Sequence, residues 1–389
     1  MSRVTFLALA LALLGFASAQ DTLVFEDTFT SFNLSVWKHE LTLNGDQNWC
    51  FEQYSNNRSV SFVRNGTLII RPRLTNETLG NAGLSNADVN IWGGDPATYC
   101  TSNSDYGCER EGGAGGNIIN PIQSARLRTA ETFAFKYGRV EVSAKMPKGD
   151  WLWPAIWLMP VNGAYGTWPA SGEIDLLESR GNAASYPGGG VNAFSSTLHW
   201  GPFWPLNGYQ KTHADYTLPA GDLSEAFHVY TLDWSPTSMT TSIDGVPVLS
   251  VPINQTFWQR GGWDSNPDLD NPWQDGGSNA PLCVVVAQPL PIPRGKRSLS
   301  LSSLFLSPPA RSDQRFYLII NLAVGGTNGY WPDGQGGKPW TDQSPHAAND
   351  FWQAVDQWYP TWTSPMMVDY VRVYQRPEDG GDFAYRLML

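Results

Sequence analysis

Charge is scarce in this chain. Only 16% of its 389 residues are Asp, Glu, Lys or Arg, and the balance is acidic, with a formal net charge of −11. A surface of that sign repels phosphate backbones and anionic bilayers, so nucleic acid and membrane surfaces are excluded as partners. Long hydrophobic runs are also missing. The longest, from Phe6 to Phe16, is too short to span a bilayer, and the C-terminus lacks the apolar tail of a lipid-anchor signal. No stretch carries the helical period or the Ala/Leu/Glu/Lys richness of a helical bundle. There is no internal repeat. Four cysteines and five histidines are present, and none stands at zinc spacing, so no metal site is expected.

What remains is aromatic and turn-rich: 18 Trp, 15 Tyr and 38 Gly. Residues 1–19 read as a secretory signal, with Arg3 at the positive start and Ala17-Ser-Ala19 as the small-residue cleavage site. The expected protein is therefore secreted and extracellular. Cys100 and Cys108 bracket a short polar loop, which an oxidising compartment favours closing as a disulfide. Cys50 and Cys283 are left over and could pair. Asn33, Asn57, Asn65, Asn76 and Asn254 head N-glycosylation sequons.

Short β-forming runs recur between turns: 61–63, 67–71, 125–127, 137–144, 229–234, 239–243 and 316–322. Asn65-Gly66 and Asp244-Gly245 are hairpin signals. Residues 154–159 read as a buried strand, and 368–374 as an alternating one that pairs with the strand around 23–25. Residues 351–358 read as a short helix. Many short strands imply an all-β sandwich of two antiparallel sheets. Residues 20–389 are read as one domain. Within it, 282–312 stands apart, with no acidic residue, four basic ones and five prolines. It reads as a disordered insertion.

The stretch from Gly172 to Glu178 carries the chemistry. Side chains alternate along a strand, so Glu173 and Asp175 share a face. Glu178 would point away unless a β-bulge between Asp175 and Glu178 inserts one extra residue. With the bulge, three carboxylates line one surface while Ile174, Leu176 and Leu177 pack behind. Paired carboxylates on one face supply a nucleophile and a proton donor for glycoside hydrolysis. An exposed acidic edge strand is the plainer alternative. The apolar partners and the cost of crowding like charges speak against it.

In that context the chain resembles glycoside hydrolase family 16, in its laminarinase-like group, which includes the β-1,3-glucan-recognition proteins of invertebrates. The resemblance is carried by Gln123-Ser-Ala-Arg-Leu127, Phe135-Lys-Tyr-Gly-Arg-Val-Glu141, Trp153-Pro-Ala-Ile-Trp-Leu-Met-Pro160, Trp168-Pro-Ala-Ser-Gly-Glu-Ile-Asp-Leu-Leu-Glu-Ser-Arg-Gly-Asn182, His199-Trp-Gly201, Tyr230-Thr-Leu-Asp-Trp234, Phe316-Tyr-Leu-Ile-Ile-Asn-Leu-Ala-Val-Gly-Gly326 and Val368-Asp-Tyr-Val-Arg-Val-Tyr374. It implies a β-jelly-roll with a concave sheet and an open cleft, and retaining endo-hydrolysis of β-1,3-glucan. By carry-over Glu173 is the nucleophile, Glu178 the acid/base, and Asp175 sits between them and tunes both. No cofactor is required, although the family would allow a structural calcium. The chain enters the catalytic region directly, without the extra N-terminal glucan-binding module of some recognition proteins, and is expected to be a monomer.

Sugar rings stack their C–H faces on flat side chains, so Trp153, Trp157, Trp168 and Trp200 are candidate subsites. His199 is placed to meet a sugar or a carboxylate. Asn120 and Arg126 are further cleft candidates, and Arg180 is expected to pair with a structural acid. Glu178 needs a raised pKa, which the charges of Glu173 and Asp175 favour. The rival function is non-catalytic recognition of β-1,3-glucan on the same fold. Few cations flank the motif, which disfavours sulfated polysaccharides.

Overall fold

The computed structural model describes residues 21–93, 99–274, 280–282 and 314–385. Two antiparallel sheets dominate it. One runs in the order Val246–Pro252, Ser238–Ile243, His228–Trp234, Gly138–Lys145, Met366–Gln375, Thr67–Ile70, Ser61–Arg64, with Thr22–Asp27 added onto Met366–Gln375. The other runs His213–Thr217, Ala193–His199, Glu173–Ser179, Leu152–Pro160, Phe316–Val324, Arg126–Arg128, Lys38–His39.

The strands follow from their side-chain alternation. In Gly138–Lys145, Val140, Val142 and Ala144 are buried, while Arg139 and Glu141 face outward. Across the sandwich they join Ile156, Leu158, Ile174, Leu176, Leu177, Ile320 and Leu322 in one core. Both hairpin signals form. Asn65-Gly66 (φ 53° and 71°) joins 61–64 to 67–70, and Asp244-Gly245 (φ 48° and 79°) joins 238–243 to 246–252. Both turn residues sit in the left-handed region, as a two-residue hairpin requires. Residues 22–27 pair with 371–375, so the N-terminal strand meets the last long strand of the same sheet.

Three expectations change. The helix expected over 351–358 is two short ones, Ala347–Gln353 and Val355–Trp358. A helix at Asn76–Asn86 was not signalled, because its apolar residues make no stripe and only Leu84 is buried. Leu282 is not part of an excluded segment. It is buried in the core, where its Cδ2 packs against Gly172. The Gln314 side chain donates to the carbonyls of Ser171 (2.7 Å) and Pro281 (2.5 Å), which brings 281 and 314 side by side. The remainder of the 282–312 segment, the signal at 1–19, and Cys283 lie outside the described residues. Cys50 is buried as a free thiol. Cys100 and Cys108 are bridged. Among the described residues no helix is long and apolar enough to cross a membrane.

Candidate active site

The second sheet builds the site on Glu173–Ser179. On one side, Trp157 pairs with Asp175 and Ile156 with Leu177, leaving Leu176 without an opposite number. The neighbouring strand shows the same irregularity between Asp175 and Glu178. The bulge is therefore real, and within it the carbonyl of Leu176 accepts from Ser196 Oγ at 2.7 Å. It brings Glu173, Asp175 and Glu178 to one depression of about 50 Å³, with Trp153, Trp157 and Asn321 also in its wall. Ile174, Leu176 and Leu177 are fully buried behind it.

Each carboxylate has a neutral or imidazole donor. Trp168 Nε1 donates to Glu173 Oε2 at 2.6 Å, and Trp153 Nε1 to Glu178 Oε1 at 3.1 Å. His199, opposite Glu173 in register, sets Nε2 at 3.2 Å from Asp175 Oδ2. Burial of the carboxyl is the main cause that raises the pKa of Glu178, with the charge of Glu173 adding to it. His199, the Trp153 indole and Arg180 pull the other way. The direction matches the expectation, but burial rather than charge leads. Asp175 is raised for the same first reason, then by Glu173.

Burial alone would lower the pKa of His199. The Asp175 hydrogen bond and the three carboxylate charges outweigh it and push it up to about 10. Asn207 works against that protonation. Its Oδ1 accepts from the backbone N–H groups of Tyr209 (3.2 Å) and Trp200 (3.4 Å), which turns Nδ2 toward His199 Nδ1 at 2.7 Å. An amide N–H there favours a lone pair on Nδ1. In either charge state Nε2–H faces Asp175.

Ligand atoms of Glu173, Asp175 and His199 lie within 4.8 Å of one another, the one such trio among the described residues. Its composition would suit a transition metal. However, the close approach of Nε2 to Asp175 and the hydrogen bond from Trp168 to Glu173 already engage these atoms with one another and with the indole.

Other candidates divide by depth. Trp157 is half-buried in the depression, its Nε1 held by Asn321 Oδ1 at 2.6 Å and its ring under the Arg126 guanidinium at 4.6 Å. Arg126 itself is buried and paired with Asp46 and Glu40, so it supports the Trp157 ring from behind. Trp153 stacks face to face on Tyr330, centroids 3.9 Å apart. Besides Arg126, two candidates fail to reach the cleft. Trp200 is fully buried, bonds Thr212 and packs on Phe257 and Trp263. Asn120 is buried, and its amide donates to the carbonyls of Leu43 and Glu52. Among the described residues Arg180 makes no ion pair. It donates to the carbonyls of Tyr330 and Gly188 and lies over the Tyr330 ring at 3.9 Å.

The sequence reading missed Trp204, which is 67% exposed with its ring 5.6 Å from Trp168, and Tyr209, which stacks on His199. It also missed Asn207 and Asn321. Trp204 lies five residues beyond His199, and that nearness was the available signal.

The model for glycosyl hydrolases family 16 matches residues 91–267. A β-1,3-glucan-binding protein of Penaeus monodon is 46% identical over 91% of this chain and 90% of its own length. The glucan endo-1,3-β-glucosidase A1 of Niallia circulans is 32% identical over 67% of this chain and 27% of its own. The insect relatives are longer, and the chain spans 66% and 64% of two of them. Among solved structures, the laminarinase from Rhodothermus marinus superposes with a TM-score of 0.52 at 22% identity, over 92% of this chain and 98% of that one. The two-sheet sandwich is thus the laminarinase jelly-roll. With the bulged Glu-x-Asp-x-x-Glu strand in place, and nearly half the residues shared with the Penaeus protein along almost all of both chains, this chain belongs to glycosyl hydrolase family 16.

Proposed function

We propose that this chain recognises β-1,3-glucan in the cleft above Glu173–Ser179. The observation that carries the reading is its 46% identity, over nine-tenths of both chains, to a protein named for β-1,3-glucan binding. The cleft supports it chemically. Exposed Trp168 and Trp204 and half-buried Trp157 offer flat apolar faces, while Asn48, Asn321 and the carboxylates offer partners for hydroxyls. The signal-like N-terminus and the Cys100–Cys108 bridge support an extracellular site of action.

A second reading, that the bound glucan is also cleaved, is favoured by one observation: all three carboxylates are present, clustered and uncompensated by Lys or Arg hydrogen bonds among the described residues. Glu173 would attack the anomeric carbon. As the C–O bond to the leaving sugar breaks, Glu178 would give its proton to the departing oxygen. Water then attacks the glycosyl–Glu173 ester and returns a proton to Glu178, releasing sugar of retained configuration. The raised pKa of Glu178 supports its starting protonated. Asp175, bound to His199, would sit between them as the group that tunes both.

Laminarin, lichenan and carboxymethyl-cellulose separate these readings when binding and new reducing ends are measured together. Tight laminarin binding with release of reducing ends is expected. Binding without release would leave recognition alone, and no laminarin binding would overturn both.

A further inference from the structure

Beside the cleft lies a far larger cavity, of about 970 Å³, that the chemistry above does not use. One segment of chain, residues 46–51, contributes to both. Asp46 and Asn48 line the catalytic depression, and Trp49, Cys50 and Phe51 line the cavity. Trp92 and Tyr106 also line it, with Glu109 and Glu111 from the strand Glu109–Glu111.

Its aromatic lining is exposed. Trp49 is 51% accessible, Trp92 52% and Tyr106 74%. Large aromatics left in water on one concave surface mark a binding face rather than spare core. Two of the three are also held in left-handed backbone, Trp49 at φ 53° and Tyr106 at φ 62°. That conformation is unfavourable for bulky residues and persists only where surrounding structure fixes it. Here it is fixed. Gly45 O accepts from the N–H groups of Asn48 and Cys50, which curls the chain and turns Trp49 outward. The Cys100–Cys108 bridge closes the loop bearing Tyr106, and Arg110 braces it from Asp105 O to Asn120 Oδ1.

The chemistry of the lining selects the ligand. Flat rings spaced around carboxylates and amides suit a neutral, hydroxyl-rich chain. Glu109 and Glu111 disfavour anions, and Arg110 is already engaged. The segment 46–51, whose successive residues line the cleft and then the cavity, supplies the rest.

We propose that this cavity is a distal saccharide site, taking glucosyl units of the same β-1,3-glucan chain beyond those held over the carboxylates. It rests on the reading of the cleft as a β-1,3-glucan site. Its consequence is affinity that rises with chain length through Trp49, Trp92 and Tyr106.

The test uses the full chain and laminari-oligosaccharides of short and long length, with binding measured by calorimetry. Trp92→Ala and Tyr106→Ala are each expected to weaken the long oligosaccharide about tenfold and to change the short one less than about twofold. Hydroxyl-radical footprinting of the unmodified protein should protect Trp92 and Tyr106 with the long ligand and not with the short one. Equal affinity of variants and parent for the long ligand, or no protection of either residue, would overturn the distal site. If the parent binds neither length, the glucan reading of the cleft fails instead.

Discussion

The three acids of the Glu173–Ser179 strand and the acids on the outer face of the other sheet are answered in opposite ways. On the sheet containing Gly138–Lys145, acids meet arginines: Glu26 with Arg372, Asp233 with Arg376, and Asp233 and Glu141 near Arg139. On the cleft sheet, Glu173 and Glu178 meet indole N–H groups and Asp175 meets His199. Both faces lie over the same core and contribute similar apolar strands to it. An exposed acid answered by a guanidinium is electrostatically finished and adds little. An acid answered by a neutral donor keeps its charge unpaired, and at Glu178 burial then outweighs the indole and favours the protonated form. The difference separates acids that decorate a fold from acids available for chemistry.

The strongest way to break this comparison is to neutralise the two cleft glutamates. Glu173→Gln and Glu178→Gln should each lower laminarin hydrolysis at least about 1,000-fold, while the dissociation constant for laminarin stays within a few-fold. Hydrolysis at parental rate by Glu173→Gln, in a reducing-end assay, would show that this cluster is not catalytic.

Glu52 sharpens the comparison because it has the same kind of donor but no cleft. Its Oε2 accepts from Val324 N–H at 2.7 Å deep in the protein. Burial, only partly offset by that hydrogen bond and by Tyr54, raises its pKa from 4.5 to about 8. Below pH 4.5 the carboxyl is protonated folded and unfolded alike. Between 4.5 and about 8 the unfolded chain ionises and the folded one does not, so this group lowers stability as pH rises through that window. Glu52→Gln should remove the dependence. Its stability relative to the parent should grow across the window by on the order of 5 kcal/mol, read from denaturant unfolding at several pH values. A constant difference at all pH values would refute the shift.

A finer cut is Trp153→Phe, which keeps an aromatic face and deletes the indole N–H. The indole favours the ionised form of Glu178, so its loss should raise that pKa further. The acid then stays protonated to higher pH, and the alkaline limb of the hydrolysis profile should move up by as much as about one pH unit. A downward move would mean that the indole holds the proton on rather than off. The smallest effect belongs to the other face. Arg372→Ala should change stability by no more than about 0.5 kcal/mol and leave laminarin binding unaltered. A larger thermal shift would show that these surface pairs work as a network.

Much of this was legible because it is local. Alternation in Gly138–Lys145, the two turn dipeptides and the short span from Cys100 to Cys108 each involve neighbours in sequence. The bulge was legible for a sharper reason: three acids at positions 173, 175 and 178 share a face only if one residue is added. Subsite assignment was less legible. Among 18 tryptophans, Trp200 and Trp204 stand four residues apart in one loop region, yet one is fully buried and the other mostly exposed.

The sequence by itself determined the all-β class, the two-sheet sandwich and the carboxylate-bearing strand, since period, turn chemistry and spacing are written in contiguous residues. Only the tertiary structure decided which donor each acid receives. Trp157 finds Asn321 across 164 residues, Trp153 finds Glu178 across 25, and the Asn207 amide is oriented by backbone N–H groups on either side. It also decided that the curl at 45–50 and the bridged loop at 100–108 face one cavity. No periodicity encodes such meetings, because they are fixed by how two sheets and their rim loops pack, and packing is a property of the whole chain.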